Sequence, residues 1–230
     1  MKRFFLFLFV CVAFVGVKAQ PETGTISVIP RVGVSIAKLS SYDIYDGLDD
    51  EPVQISNKTG FIGGLDVQYQ LRSGFALSAG IFYSQQGCSM KDHKEEYKNN
   101  DGNLCFSGIN HHQVAMDYIN VPLSAHFYVA DNLSFNAGVQ FGYLISAKWK
   151  WEETDYEVKN EERVYSAQDQ KVNIDRRDDF KKLDISIPIG ISYEYENVVL
   201  DARYNIPCSK VADDIRNKVF MITAGYKFNL

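Results

Sequence analysis

From residue 26 to the C-terminus, apolar and polar residues alternate one by one in segments of about ten residues, and no helical period appears. A period of two puts successive side chains on opposite faces of an extended chain, so each segment reads as a strand with two chemically different faces. Eight such segments lie near 26–37, 60–72, 74–85, 114–129, 132–148, 181–195, 198–207 and 218–230. In the fourth, Ile119, Val121, Leu123, Ala125, Phe127 and Val129 oppose Asn120, Ser124, His126 and Tyr128. In the fifth, Leu133, Phe135, Val139 and Phe141 oppose Ser134, Asn136, Gly138 and Gln140.

A soluble sandwich or barrel would turn the apolar face inward and cover the other with Lys, Glu and Thr. Here the second face is rich in Gly, Ser and Asn with isolated charges, which suit a crowded interior better than a solvated surface. The chain therefore reads inside-out, apolar to lipid and polar to lumen. The connections point the same way. Three are tight turns, at Arg72–Gly74, Ala130–Asn132 and Tyr195–Asn197; the other four, 38–59, 86–113, 149–180 and 208–217, are long and polar. Short and long alternate around the chain, whereas structureless loops of about thirty residues would count against a soluble domain. The expected fold is an eight-stranded antiparallel up-and-down transmembrane β-barrel with short periplasmic turns and long extracellular loops. Closure satisfies every strand edge, which lipid requires.

The N-terminus fits export. Lys2 and Arg3 precede an apolar stretch from Phe4 to Val17, and Val17 and Ala19 are the small residues of a cleavage site. Residues 1–19 are expected to be a cleaved signal peptide, and 20–230 the barrel domain in a bacterial outer membrane. Cys11 follows Phe9 and Val10, where a lipobox needs small residues, so lipidation is not expected. Losing Lys2, Arg3 and Lys18 moves the formal net charge from −5 to −8, which argues against nucleic acid as a partner. Cys88, Cys105 and Cys208 remain. Cys88 and Cys105 flank one loop and are the expected disulfide, with unpaired loop thiols as the alternative.

Arg31, Asp66, Arg72, His126, Asp184, Glu194, Asp201, Arg203 and Lys227 all fall on the lumen side of this register. Eight strands leave an interior just wide enough for side chains, and buried charges need partners. A salt-bridge network plugging the lumen is expected, with Arg203, Asp201 and Asp184 at its centre; the alternative is a narrow polar pore or ligand cavity. Pro122 and Pro188 sit at inward positions and are expected to mark bulges or bends. Aromatic girdles are expected at the two interfaces, Trp149 and Trp151 at the outer one and Tyr69, Tyr193 and Phe228 at the inner one.

No catalytic grammar appears. Ser107, His111 and His112 are near one another in sequence but form no triad order, and His93, His111, His112, Cys88 and Cys105 match no zinc spacing. The acidic stretches 43–51 and 152–162 lack a dedicated calcium pattern. No enzyme activity, metal or cofactor is expected. Tyr42, Tyr45, Tyr156 and Tyr165 interleave with the acids, a composition compatible with protein or glycan contact.

Three segments carry a resemblance. "DYINVPLSAHFYVADNLSFNAGVQFGYLIS" (117–146), "DFKKLDISIPIGISYEYENVVLDARYNIP" (179–207) and "VFMITAGYKFNL" (219–230) resemble the outer-membrane β-barrel domain widespread in Bacteroidetes and often called PorT-like. The resemblance implies fold and location rather than activity. The chain departs from many such barrels by ending in Leu230 rather than an aromatic, although Tyr226 and Phe228 keep the alternation that the barrel-assembly machinery would read. The expected role is a non-enzymatic envelope component in outer-membrane lipid that displays its loops. A conduit for a small or hydrophobic solute, and a soluble exported ligand-binding barrel, are the alternatives.

Overall fold

The computed structural model describes residues 22–40, 55–159 and 162–230. The leader and the acidic segment with Tyr42 and Tyr45 lie outside the described residues. The chain forms strands β1 (Ile26–Ser40), β2 (Ile55–Arg72), β3 (Phe75–Met90), β4 (His93–Lys98), β5 (Leu104–Ala130), β6 (Leu133–Lys159), β7 (Glu162–Asp175), β8 (Leu183–Tyr195), β9 (Val198–Pro207), β10 (Arg216–Tyr226) and β11 (Phe228–Asn229).

Eight of these close a ring in the order β1–β2–β3–β5–β6–β8–β9–β10, and β10 pairs back onto β1. Each of the eight expected segments overlaps one strand of this ring, the last running on past β10 into β11. All pairings are antiparallel. The apolar faces point outward: Val32, Phe61, Ile81, Leu123, Phe135, Ile191 and Leu200 are exposed, while Asp66, Asn120, His126, Asn136, Asp201 and Arg203 are buried. A soluble barrel with an apolar interior is incompatible with that distribution.

Two of the long connections are not irregular. β5 and β6 each run 27 residues, against about ten needed to cross a membrane, so their paired ends continue far beyond the wall. β4 pairs with the start of β5, and β7 with the end of β6, making a four-stranded sheet β4–β5–β6–β7 above the barrel. Periodicity missed this sheet because both of its faces meet water, so no apolar stripe marks it.

A bulge separates wall from sheet. Tyr118 pairs with Leu144 but Asp117 with Ser146, so β6 carries one extra residue there. Below it the even residues of β6 point inward, Leu144 last; above it the odd ones do, beginning with Ala147. A one-residue shift exchanges the two faces of a strand.

Pro122 and Pro188 interrupt pairing on one side only, with the register unchanged beyond them, so neither marks the expected bulge. The last expected strand is broken at Lys227, whose backbone N–H donates to the Asn197 carbonyl at 2.7 Å. Glycines sit where strands pass closest. A Cβ on Gly138 would lie 2.0 Å from the Leu123 carbonyl oxygen, so only glycine fits.

Candidate functional site

The lumen is the site the sequence points to. Arg31 on β1 holds Asp66 on β2 at 3.0 Å (Nε to Oδ2) and reaches across to Asp201 on β9 at 3.7 Å. Arg203, two residues along β9, lies 3.2 Å from Asp201 Oδ1. Ser192 donates to Asp201 at 2.6 Å and Asn136 at 3.0 Å, so Asp201 is the hub of a cluster drawn from β1, β2, β6, β8 and β9. Two guanidiniums face two carboxylates, and the cluster is electrically balanced, which is the condition for keeping buried charge. His126 joins at the side, its Nε2 2.9 Å from Ser78 Oγ.

Four of the expected members sit elsewhere. Asp184, placed at the centre by the sequence, lies higher up, where Ser209 donates to it at 2.6 Å. Its strand runs the right way, but Gly142 and not Arg203 is its cross-strand neighbour. Glu194 and Lys227 form a separate pair at the short-turn end, 2.9 Å apart, with the Lys227 side chain fully buried. Arg72 is exposed at the turn, outside the lumen.

Apolar and polar layers close the lumen above the cluster. Ala37, Ile62, Phe82, Val219 and Met221 pack across it. Between this layer and the charges, a cavity of about 10 Å³ is bordered by Arg31, Asn120, Gln140, Arg203 and Thr223, which is room for about one water. Higher still, Gln86 accepts from Asn217 at 2.5 Å, and Ser84 accepts from Asn120 at 2.7 Å. At the mouth, Leu39, Met90, Val114, Met116, Tyr118 and Leu144 form an apolar cup, filled by Phe180 and Val211 from the connections before β8 and β10. Neither plug residue was singled out by the sequence reading. The signal was there: Phe180 is a lone apolar residue in the charged stretch "RRDDFKK", and Val211, with Ala212, interrupts the polar stretch "SKVADD".

The short-turn rim carries an aromatic belt, with Tyr69 and Phe228 exposed, Tyr193 half-buried, and Phe75 and Phe127 packed at 5.0 Å. The other girdle is a correction. Beyond the bulge Trp149 packs inward against the apolar cup, with the Arg176 guanidinium 5.2 Å from its ring and His112 at 6.1 Å. Trp151 shares its parity and also meets His112, at 5.8 Å. The face exchange at Ile145 removes both from the lipid side.

Cys88, Cys105 and Cys208 are free thiols. Cys88 pairs in register with Val114, nine residues along β5 from Cys105, a separation of roughly 30 Å at 3.4 Å per residue. The expected Cys88–Cys105 bond would need those Cα atoms within about 7 Å, so the extension of β5 forbids it.

The upper sheet has its own geometry. Phe106 stacks on Tyr156 at 4.9 Å, Tyr165 follows at 5.3 Å, and Arg163 lies over Tyr156 at 4.9 Å. At its tip Asn99 and Asn103 each donate to Glu157 Oε1 at 2.7 Å, and Lys159 lies 2.8 Å from Oε2. The hydrogen bond from Lys159, then that from Asn103, hold the Glu157 carboxyl below the usual carboxylate range. Among the described residues, no three His, Cys, Asp or Glu are grouped to hold a metal ion.

The family described as "Outer membrane protein beta-barrel domain" matches residues 18–213. No curated protein matches the chain. Among solved structures, Ail of Yersinia pestis, in complex with the heparin analogue sucrose octasulfate, is similar at 17% identity, covering 90% of this chain and 100% of its own, with a TM-score of 0.46. Neisserial surface protein A is similar at 14% identity over 88% of this chain and 97% of its own, TM-score 0.44. OprG of Pseudomonas aeruginosa is similar at 14% identity over 92% and 99%, TM-score 0.39. Nothing about ligands passes from these three to this chain. The inside-out wall, the closed ring and the matched residues together place the chain in the outer-membrane protein β-barrel domain family.

Proposed function

We propose that this protein is a closed, non-enzymatic barrel that holds a folded four-stranded sheet outside the membrane, where the sheet meets another envelope protein or a glycan. One observation carries this reading: β5 and β6 pass without a break from the wall into the sheet, above a lumen filled by the Asp201 cluster and the apolar cup. A filled lumen supports anchoring, and an extension of the wall gives the displayed surface a stiff base. Export through cleavage after Ala19, delivery by barrel-assembly machinery and membership of the PorT-like Bacteroidetes subgroup belong to the same reading, supported by the leader and by the three resembling segments. The test joins two measurements. Planar-bilayer recordings should show no steps, and photo-cross-linkers at Lys94 or Tyr165 should capture a specific envelope component in cells. Steady open-channel steps would sink the closed barrel.

A second reading, a conduit for a small or apolar solute, has one observation in its favour. The mouth is plugged by Phe180 and Val211, which come from connections rather than wall strands. Replacing both with alanine and then recording conductance separates the two readings, because a conduit would open and a barrel sealed by its charge layer would not.

A further inference from the structure

Along the outer face of the seam between β1 and β10, the cross-strand pairs change character in one step. Val34 pairs with Ile222 and Ile36 with Phe220; next come Lys38 against Lys218, then Ser40 against Arg216. Lys38, Arg216 and Lys218 are all exposed. Two like charges directly opposite on neighbouring strands repel, so the Lys38–Lys218 pair costs stability unless an anion lies between them. Among the described residues no carboxylate lies within ion-pair distance of Lys38, Arg216 or Lys218: Asp214, which feels the Arg216 charge through space, is held by Lys210, and Asp213 is solvated on the same connection. The short-turn rim is different, its exposed charges among the described residues being Glu22, Arg72, Asp131 and Glu196. The basic cluster is therefore specific to the long-loop rim, and it stands directly on the apolar band.

We propose that Lys38, Lys218 and Arg216 form a docking surface for the phosphate of an anionic lipid in the leaflet at the long-loop rim, whose acyl chains lie against Val34, Ile36, Phe220 and Ile222. The height is right, because the last apolar pair of the wall marks where hydrocarbon ends and headgroup phosphates begin. Lysine suits it, keeping its stem along apolar surface while its ammonium reaches the interface. A phosphomonoester offers several strong acceptor oxygens, enough to bridge two opposed ammoniums and turn their repulsion into two charge-assisted hydrogen bonds. The inference rests on the barrel lying in a membrane and is independent of whether the lumen conducts.

Native mass spectrometry of the full chain, released from mixed micelles of phosphatidic acid and phosphatidylcholine with identical chains, provides the test. The unaltered protein should retain phosphatidic acid preferentially. Each removed charge should lower that retention about fivefold, so K38Q/K218Q should lose it more than tenfold. K171Q, on β7 and away from the rim, should retain it fully. Equal retention by K38Q/K218Q would overturn the proposal. Displacement of the lipid by millimolar inorganic phosphate would also overturn it, showing an anion site that ignores the acyl chains. If only a variant neutralised at Asp43, Asp46, Asp49, Asp50 and Glu51 retained the lipid, the chain's own acidic segment would be the occupant and the proposal would fall. Heat-modifiable gel migration of each variant separates loss of lipid from loss of the barrel.

Discussion

Replacing Asp201 with alanine measures whether the lumen is dry. Asp201 accepts from Ser192 and Asn136 and faces both arginines, Arg203 at 3.2 Å and Arg31 at 3.7 Å. Without it, Asp66 alone answers two buried guanidiniums, and a net positive charge is left in a space whose free volume is about 10 Å³. Removing one partner from a buried ion pair costs about 3–5 kcal/mol, a large share of the roughly 5–15 kcal/mol that holds a typical domain together. In a water-filled lumen the same change would cost about 0–1 kcal/mol, as for exposed pairs. Urea unfolding in lipid vesicles, followed by the fraction of heat-modifiable band, gives the difference by linear extrapolation. The double variant D201A/R203M should recover most of the loss, because it removes the orphaned charge together with its partner. A D201A cost below about 1 kcal/mol, or a double variant worse than the single, would refute the plugged lumen.

Three other outcomes follow from the geometry. Gly138→Ala should abolish the folded, heat-modifiable form, since its Cβ would meet the Leu123 carbonyl at 2.0 Å, whereas Gly74→Ala, with open space around it, should fold normally. In vesicles of brominated lipid, Trp149 in a W151F background should fluoresce undimmed, and a tryptophan placed at the exposed Phe127 should be strongly quenched. The tip of the upper sheet should loosen in acid. The folded carboxyl of Glu157 titrates below its unfolded value, so its contribution is present above the usual carboxylate range and is lost as pH falls through the lowered value. Protection of the Asp101 and Asn103 amides, whose N–H groups bond to the Asn99 side chain, measured against the intrinsic exchange rate at each pH, should fall across that window, and E157Q should remove that fall.

The wall was legible in the sequence because two solvents act on it at once. Lipid selects Leu123, Phe135 and Ile189 on one face, and a crowded lumen selects Ser124, Asn136 and Gly190 on the other, so period two is strong. The charges of the Asp201 cluster were legible for the same reason, since parity alone sends Arg31, Asp66 and Arg203 inward. Height was not legible. Parity says which way Asp184 points but not which residue of the facing strand it meets, and that depends on stagger between strands. The upper sheet escaped notice because water bathes both of its faces, and strand pairing there rests on backbone bonds that leave no apolar period. The girdle at Trp149 and Trp151 failed through one inserted residue, as the bulge at Ile145 leaves no local signal beyond a run of alternation that simply continues.

That bulge also decides how one pair of strands can serve two environments. Below it β5 and β6 put apolar side chains outward into lipid; above it Val114, Met116, Ala147 and Trp149 put them inward, around Phe180 and Val211. The inversion supplies the upper sheet with a small apolar core at the level where the membrane no longer covers apolar surface. Without it, Trp149 would project to the outside, and Lys148 and Lys150 would be driven into the mouth beside Val114. The same residues that close the lumen are therefore the footing of the displayed sheet. Under the proposed function, sealing and display are mechanically one property, and a change that unpacks Phe180 or Val211 should loosen the sheet as it opens the mouth.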